Sequence, residues 1–267
     1  MEREDRFFAR IAGLDWEIEA RYPLMRTMCE DYLIPSSGAR PVSPCIAPKD
    51  DDIAFERAKS ENGDAYSDTY LETLAVLRSM AEQAPRFGRV LFHGVALEFC
   101  GMAYLLCAPS GTGKSTHAKL WRSHLGKDVR ILNGDKPFVG SPAGVQECDA
   151  STSIVAYGSP WMGKEGWGAN ASAPLGGICM LGRANGDRPC AAHVDPARVL
   201  PLLSTSVYMP QNPVARIGVA QAIDAISRTV PVFEARVAID EYSVQVVRDA
   251  LTQGIENESE EAPWLRG

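Results

Sequence analysis

The stretch His93-Gly-Val-Ala-Leu-Glu-Phe-Cys-Gly-Met-Ala-Tyr-Leu-Leu-Cys-Ala-Pro-Ser-Gly-Thr-Gly-Lys-Ser-Thr116 decides how this chain folds. Residues 89–99 and 102–107 both read as apolar strands, and only Cys100-Gly101 separates them. Two strands joined that tightly must pair as an antiparallel hairpin. The second arm runs straight into residues 108–116, Ala-Pro-Ser-Gly-Thr-Gly-Lys-Ser-Thr. A glycine-rich loop between a strand and a helix wraps its backbone N–H groups around phosphate oxygens, and the helix that follows points its positive dipole end at the anion. Ser110, Gly111, Thr112, Gly113, Lys114, Ser115 and Thr116 are therefore the candidate nucleotide-binding residues. Lys114 is expected to reach the β/γ-phosphates and the Ser115 hydroxyl to sit on Mg²⁺. Ala108 stands where the strict pattern has its first glycine, but Gly111 and Gly113, which approach phosphate most closely, are present. Phosphate loops ordinarily follow a strand of a parallel core. A loop fed by a hairpin predicts an α/β fold with a mixed sheet.

Working outward, the spacing predicts a helix over 114–125 with Ala118, Trp121 and Leu125 on one face and Gly126 as its cap. A short apolar strand over 129–132 then ends in Asn133-Gly134-Asp135. An acidic residue about twenty positions after the loop, at a strand end, suits a metal-organising carboxylate, although Gly-Asp is also turn chemistry. A second cluster lies at 157–170, where fourteen positions hold four glycines, two tryptophans, Lys164 and Glu165. Such a loop suits function: glycine allows close approach, lysine supplies charge and tryptophan a stacking face. Lys164 is a candidate clamp on a transferring phosphoryl group, and Glu165 a candidate carboxylate. The alternative is a surface loop with its tryptophans tucked against the sheet.

Residues 91–136 resemble the catalytic domain of the HPr kinase/phosphorylase family, under a fifth of the chain. That family has a His-Gly-Val strand, a glycine-containing hairpin turn, a second strand and a Gly-x-Ser-Gly-x-Gly-Lys-Ser loop. The core Ser-Gly-Thr-Gly-Lys is also similar to that of ATP-dependent phosphoenolpyruvate carboxykinase. The resemblance implies an HPr kinase C-terminal-domain-like fold, with Lys114 on phosphate, Ser115 on Mg²⁺ and His93 beside the catalytic acid. Where the family has two adjacent aspartates, this chain has Gly134-Asp135, and Asp135 aligns with the second. The family's later Glu-Ile-Arg-Gly signature has no counterpart. The resemblance is to a divergent member.

The remaining sequence reads as scaffold. Residues 7–19 alternate apolar and polar and predict one half-buried strand. Residues 34–64 suggest long loops with a short helix near 53–59. A helix is expected over 68–84, with Asp68 as N-cap and Pro85 at its end. Further on, strands are expected at 154–156, 177–181 and 231–238. Helices are expected from Pro196 to about Thr205, over 214–227 with Ile217, Ala220, Ile223 or Asp224, and Ser227 in register, and over 240–253. Arg183 and Arg216 are within reach of a phosphate only if the fold brings them there; an unpaired arginine is usually solvated. The expected organisation is a region 1–88 packed on a core 89–254, then an acidic tail 255–267.

Bulk properties narrow the classes. The chain has 267 residues, 45% hydrophobic and 23% charged, as in ordinary globular proteins. A net charge of −7 provides no basic field for nucleic acid or anionic membrane. No 18-residue apolar run predicts a membrane span, and Met1-Glu-Arg-Glu-Asp-Arg is too charged for a signal peptide. Seven cysteines without Cys-x-x-Cys spacing argue for reduced thiols, hence a cytoplasmic location, with most of them as small core residues. The expected activity is a kinase using ATP, or another purine nucleotide, with Mg²⁺. Its acceptor would be a hydroxyl of a small molecule or of a peptide serine. Homo-oligomer formation is allowed. A nucleotide-binding regulator with reduced catalysis is the alternative.

Overall fold

The computed structural model describes residues 5–109, 111–142 and 153–254. Ser110 and the predicted acidic tail 255–267 lie outside the described residues.

The chain begins with β1 (Asp5–Ile11) and β2 (Leu14–Ala20), antiparallel from Asp5↔Ala20 to Ile11↔Leu14. The single strand expected over 7–19 is thus a hairpin. Ala12 and Gly13 both take positive φ and turn the chain without interrupting its alternation. Next come α1 (Pro23–Met28), β3 (Leu33–Ile34), α2 (Asp50–Lys59) and α3 (Asp68–Gln83). The N-cap of α3 is Ser67, whose side chain accepts from the Tyr70 N–H, and Asp68 is the first helical residue. The first sheet has the order β2-β1-β3. Trp16, Ile18, Met25, Val76 and Met80 fill the core between this sheet and the helices.

The expected strand over 89–99 is broken into β4 (Arg89–Leu91) and β5 (Gly94–Phe99), which belong to different parts of the second sheet. The hairpin itself forms as predicted. β5 pairs antiparallel with β6 (Met102–Cys107) from Phe99↔Met102 to Gly94↔Cys107. Cys100 and Gly101, at φ 52° and 78°, make its turn. After α4 (Lys114–Leu125) come β7 (Val129–Asn133), β8 (Phe138–Gly140), β9 (Val155–Tyr157) and the twelve-residue β10 (Ser172–Arg183). The chain closes with β11 (Cys190–His193), α5 (Pro196–Ser204), α6 (Pro213–Thr229), β12 (Val232–Val237) and α7 (Glu241–Gln253).

The second sheet is mixed, and β10 is its axis. One of its edges pairs parallel with β6; the other pairs antiparallel with β9 near its start and parallel with β12 near its end. β5 pairs with both β6 and β7. Helices α4 and α7 cover one face through Ala118, Trp121, Val244, Val247 and Leu251. Helices α5 and α6 cover the other through Leu203, Val219, Ile223 and Ile226. The expected register of α6 is wrong: Ile217 is 60% exposed, and Ala215, Val219, Ala222, Ile223 and Ile226 are the buried set. Among the described residues, no helix is long and apolar enough to cross a membrane. Cys29, Cys107, Cys179 and Cys190 are buried, as the composition suggested.

Candidate functional site

The strand directions gather the predicted residues at one end of the second sheet. β6 and β10 are parallel, and both β6 and β7 run antiparallel to β5. The ends of β6, β7 and β10 therefore lie beside the start of β5. Ligands of open α/β sheets bind outside the carboxyl ends of such strands. Here that end holds the loop after β6, Asp135 after β7, Arg183 closing β10 and His93 before β5.

The loop leaves β6 at Cys107 and enters α4 at Lys114. Gly111 and Gly113 take φ of +75° and +111°, and a Cβ at either would meet nothing within 4 Å. The backbone there faces open space. The Lys114 ammonium donates back to Ala108 O at 2.7 Å. Burial lowers its pKa, while nearby Asp135 pulls the other way. Across the loop, Arg183 Nη2 donates to Gly111 O at 2.7 Å. Arg216 instead donates to Pro210 O, at 2.7 Å, in the turn before α6.

Asp135 is set in place by Asn133, which is fully buried at the end of β7. Its Oδ1 accepts from Asp135 N at 2.9 Å and Lys136 N at 2.6 Å, while its Nδ2 donates to Ser159 O at 2.9 Å. This is an Asx turn tied to the next loop. His93 is held through its backbone, with His93 N donating to Ser206 O at 2.7 Å and Gly94 N to Asp135 O at 3.0 Å. The side chains then meet: His93 Nε2 lies 3.3 Å from Asp135 Oδ1, and Lys136 Nζ lies 2.9 Å from the same oxygen. Burial by itself would raise the Asp135 carboxyl, but the His93 hydrogen bond and the Lys136 ammonium outweigh it and hold the pKa below the ordinary carboxylate value.

The loop over 157–170 lies against this cluster. Gly134 N donates to Trp167 O at 2.8 Å, and a Cβ at Gly134 would stand 2.7 Å from Met162 O. The backbone of this loop therefore leaves no room for a side chain at position 134. A Cβ at Gly163 would stand 2.9 Å from Asp135 Cβ, so the loop tip rests on the carboxylate. Lys164 is exposed, and Glu165 pairs with Lys119 of α4 at 3.0 Å. Trp167 packs between strand and helix, with Lys119 and Arg122 5.5 and 5.3 Å from its ring centre. The N-terminal region holds the loop in turn: Trp161 Nε1 donates to Thr73 O at 3.1 Å, and Tyr32 Oη donates to Ala169 O at 3.1 Å.

The structure thus brings Lys114, Asp135 and His93 to one end of the sheet and puts Gly163, next to Lys164, on Asp135. Sequence reasoning missed Asn133 and Lys136. Their neighbour Asp135 was the signal, because an asparagine two positions before an aspartate at a strand end is Asx-turn chemistry. Arg183 had no local signal, since only the parallel pairing of β10 with β6 carries it to the loop.

No family model matches the chain, and no curated protein matches it. Among solved structures it is similar to the HPr(Ser) kinase/phosphatase from Coxiella burnetii, at 12% identity over 60% of this chain and 88% of that one, with a TM-score of 0.29. A likeness of that size is distant and assigns no residue here a role.

Proposed function

We propose that the chain is an ATP-dependent phosphotransferase that moves a phosphoryl group from Mg-ATP to a hydroxyl. The observation that carries this reading is the convergence of Lys114, Asp135, His93 and Arg183 around an open glycine loop that starts a helix. The loop fits a polyphosphate. Its two positive-φ glycines leave the backbone bare, and the Lys114 ammonium rests on a carbonyl that a phosphate oxygen can replace. Ser110, Thr112 and Thr116 complete the expected cradle. Among the described residues no cluster of three or more His, Cys, Asp and Glu side chains is spaced to hold a metal. Mg²⁺ is commonly held by one or two protein groups together with substrate phosphates. Ser115 and Asp135 are the residues for it, and the ion supplies neutralisation of phosphate charge.

In the reaction, the acceptor oxygen attacks the γ-phosphorus, the bond to the bridging oxygen breaks, and ADP leaves. Asp135 receives the hydroxyl proton. A carboxylate with a lowered pKa is a weak base alone, so His93 beside it orients the group and shares the proton. Lys136 beside Asp135, Arg183 on the loop and Lys164 at the loop tip offset the charge spread over the transferred group. Glu165 is paired with Lys119, and that pair must break before its carboxylate reaches the reacting atoms.

One observation favours a second reading. The place of the family's first aspartate is closed by Met162 O, so the site keeps one carboxylate where that family has two. A nucleotide-binding regulator would tolerate that loss. Labelled ATP and a broad panel of alcohols and serine peptides separate the two readings. The kinase transfers label, and Asp135→Asn cuts transfer about 100-fold or more while some nucleotide affinity is kept. A protein that binds Mg-ATP yet labels no acceptor is the regulator.

A further inference from the structure

The 157–170 loop has two unlike parts. Its tip carries the exposed Lys164 and Glu165, whereas its first leg is locked into the fold. A Cβ at Gly158 would stand 1.9 Å from Ala169 O and 2.7 Å from Leu132 O, so both legs of the loop and the end of β7 pack backbone against backbone. Gly158 N donates to Ala171 O at 2.9 Å and Ala169 N to Leu132 O at 3.1 Å. The next residue, Ser159, is 0% exposed and completes a ring of hydrogen bonds around the Asp135 turn. Its Oγ accepts from Asn133 Nδ2 at 3.1 Å and donates to Lys136 O at 2.7 Å. Lys136 N donates to Asn133 Oδ1 at 2.6 Å, which closes the ring over residues 133–136. Asp135 lies within that span, with its own N bonded to the same Oδ1. Among the described residues, the two side chains that reach its carboxylate, His93 and Lys136, both meet Oδ1.

Building on the phosphotransferase reading, we propose that Ser159 is a positioning residue for Asp135 and acts through Asn133 and Lys136. The ring holds the Lys136 backbone at both its N–H and its carbonyl. That keeps the Lys136 ammonium on Oδ1 and leaves Oδ2 to take the proton of the acceptor hydroxyl. A hydroxyl suits the place because it donates and accepts at once, and Ser159 uses both capacities here. A buried polar network with every member satisfied rigidifies its surroundings, and outer partners of this kind orient the group that reacts. The loop therefore serves the reaction from its buried leg, independently of Lys164 and Glu165 at its tip.

The test is a double-mutant cycle between Ser159→Ala and Asp135→Asn. Ser159→Ala removes the hydroxyl but leaves Asn133 Nδ2 its 2.9 Å bond to the carbonyl of residue 159, so the turn is loosened and not lost. Turnover of labelled ATP is read as kcat and KM, with water, alcohols and serine peptides as acceptors. The rise in melting temperature with Mg-ATP is read in parallel. Ser159→Ala is expected to lower kcat about 10-fold or more, because a small misplacement of a reacting group is costly. KM for Mg-ATP and the Mg-ATP shift stay as in the unaltered chain. In the Asp135→Asn background the same substitution lowers kcat no further, since the carboxylate it positions is already gone. Ser159→Cys, which keeps a weak donor, recovers part of kcat. An unchanged kcat in Ser159→Ala, or a full further loss in the double variant, overturns the proposal and leaves the phosphotransferase reading standing. A rise in KM equal to the fall in kcat overturns it too, because the residue then supports the fold as a whole. An unaltered chain that binds Mg-ATP yet turns over none overturns the phosphotransferase reading and this proposal together.

Discussion

Gly134 and Arg183 show how single residues set the limits of this site. An alanine at 134 would press its Cβ to 2.7 Å from Met162 O, and that neighbour is backbone. Gly134→Ala is expected to cost ~1–3 kcal/mol of stability, as overpacking generally does, in urea unfolding. Gly134→Asp, which would set two aspartates side by side, is expected to cost more and to raise no activity. A Gly134→Asp variant that is stable and faster would show that the 157–170 loop does not occupy this place. Arg183 already spends one donor on Gly111 O, so it is pre-positioned at the loop rim. A charge-assisted contact is worth about 1.5–3 kcal/mol, so Arg183→Ala should weaken ATP binding by roughly 10-fold or more in calorimetry. Arg183→Lys should recover only part, because a point charge cannot replace the planar fork. Equal affinity in all three proteins would return Arg183 to the solvated surface.

Helix α4 carries a polar group that its surroundings do not satisfy. His117 is buried, and neither ring nitrogen has a hydrogen-bond partner among the described residues. Burial pushes its pKa down to about 4 from an ordinary 6.5, with Asp240 pulling weakly the other way. The unfolded chain therefore takes up this proton first as pH falls. Stability should decline between about pH 6.5 and 4, by up to ~1.4 kcal/mol per pH unit from this group. Above the unfolded value the contribution is constant. His117→Leu should flatten that part of the profile relative to the unaltered chain when unfolding is measured at pH 7 and pH 5; identical slopes would show that His117 protonates without cost. Elements of this kind were legible in the sequence to different degrees. The hairpin of β5 and β6 was plain, because a two-residue turn between apolar runs permits one pairing only. Helix α7 was plain too, since Asp240 caps it, Gly254 ends it and Val244, Val247 and Leu251 lie inward. Helix α6 was not, because residues 214–226 are apolar nearly all round and the period cannot select a face. β1 and β2 merged into one expected strand because Ala12-Gly13 turns without a polar or proline signal. In the site, the loop and Asp135 announce themselves locally. Arg183 comes from a distant segment, and only the topology brings it near.

At the scale of the whole molecule, two sheets serve one end. The first sheet and its helices share a core with Leu91, Phe138 and Trp161 of the second region, so the two do not meet at a thin interface. The 157–170 loop is fastened at Trp161 and Ala169 to residues of the N-terminal region. Trp161→Phe removes one fastening hydrogen bond and keeps the ring in its core. A lost bond of this kind costs about 0.5–1.5 kcal/mol in stability, and transfer should fall by more than nucleotide affinity if the loop acts on Asp135. Equal losses in both quantities would mean that the loop only supports the fold.

If the open end of the mixed sheet binds the phosphates of a nucleotide through the loop after β6, Mg-ATP must stabilise the folded chain. The most direct measurement is the melting temperature of the purified chain with ATP and Mg²⁺, each added alone and together, for the unaltered protein and Lys114→Ala. Ligand at about 100 times its dissociation constant stabilises the folded state by roughly 2.7 kcal/mol. The expected result is a clear rise that requires both ATP and Mg²⁺ and is absent in Lys114→Ala, whose own melting temperature stays close to that of the unaltered chain. No rise in the unaltered protein, or an equal rise in Lys114→Ala, would contradict it.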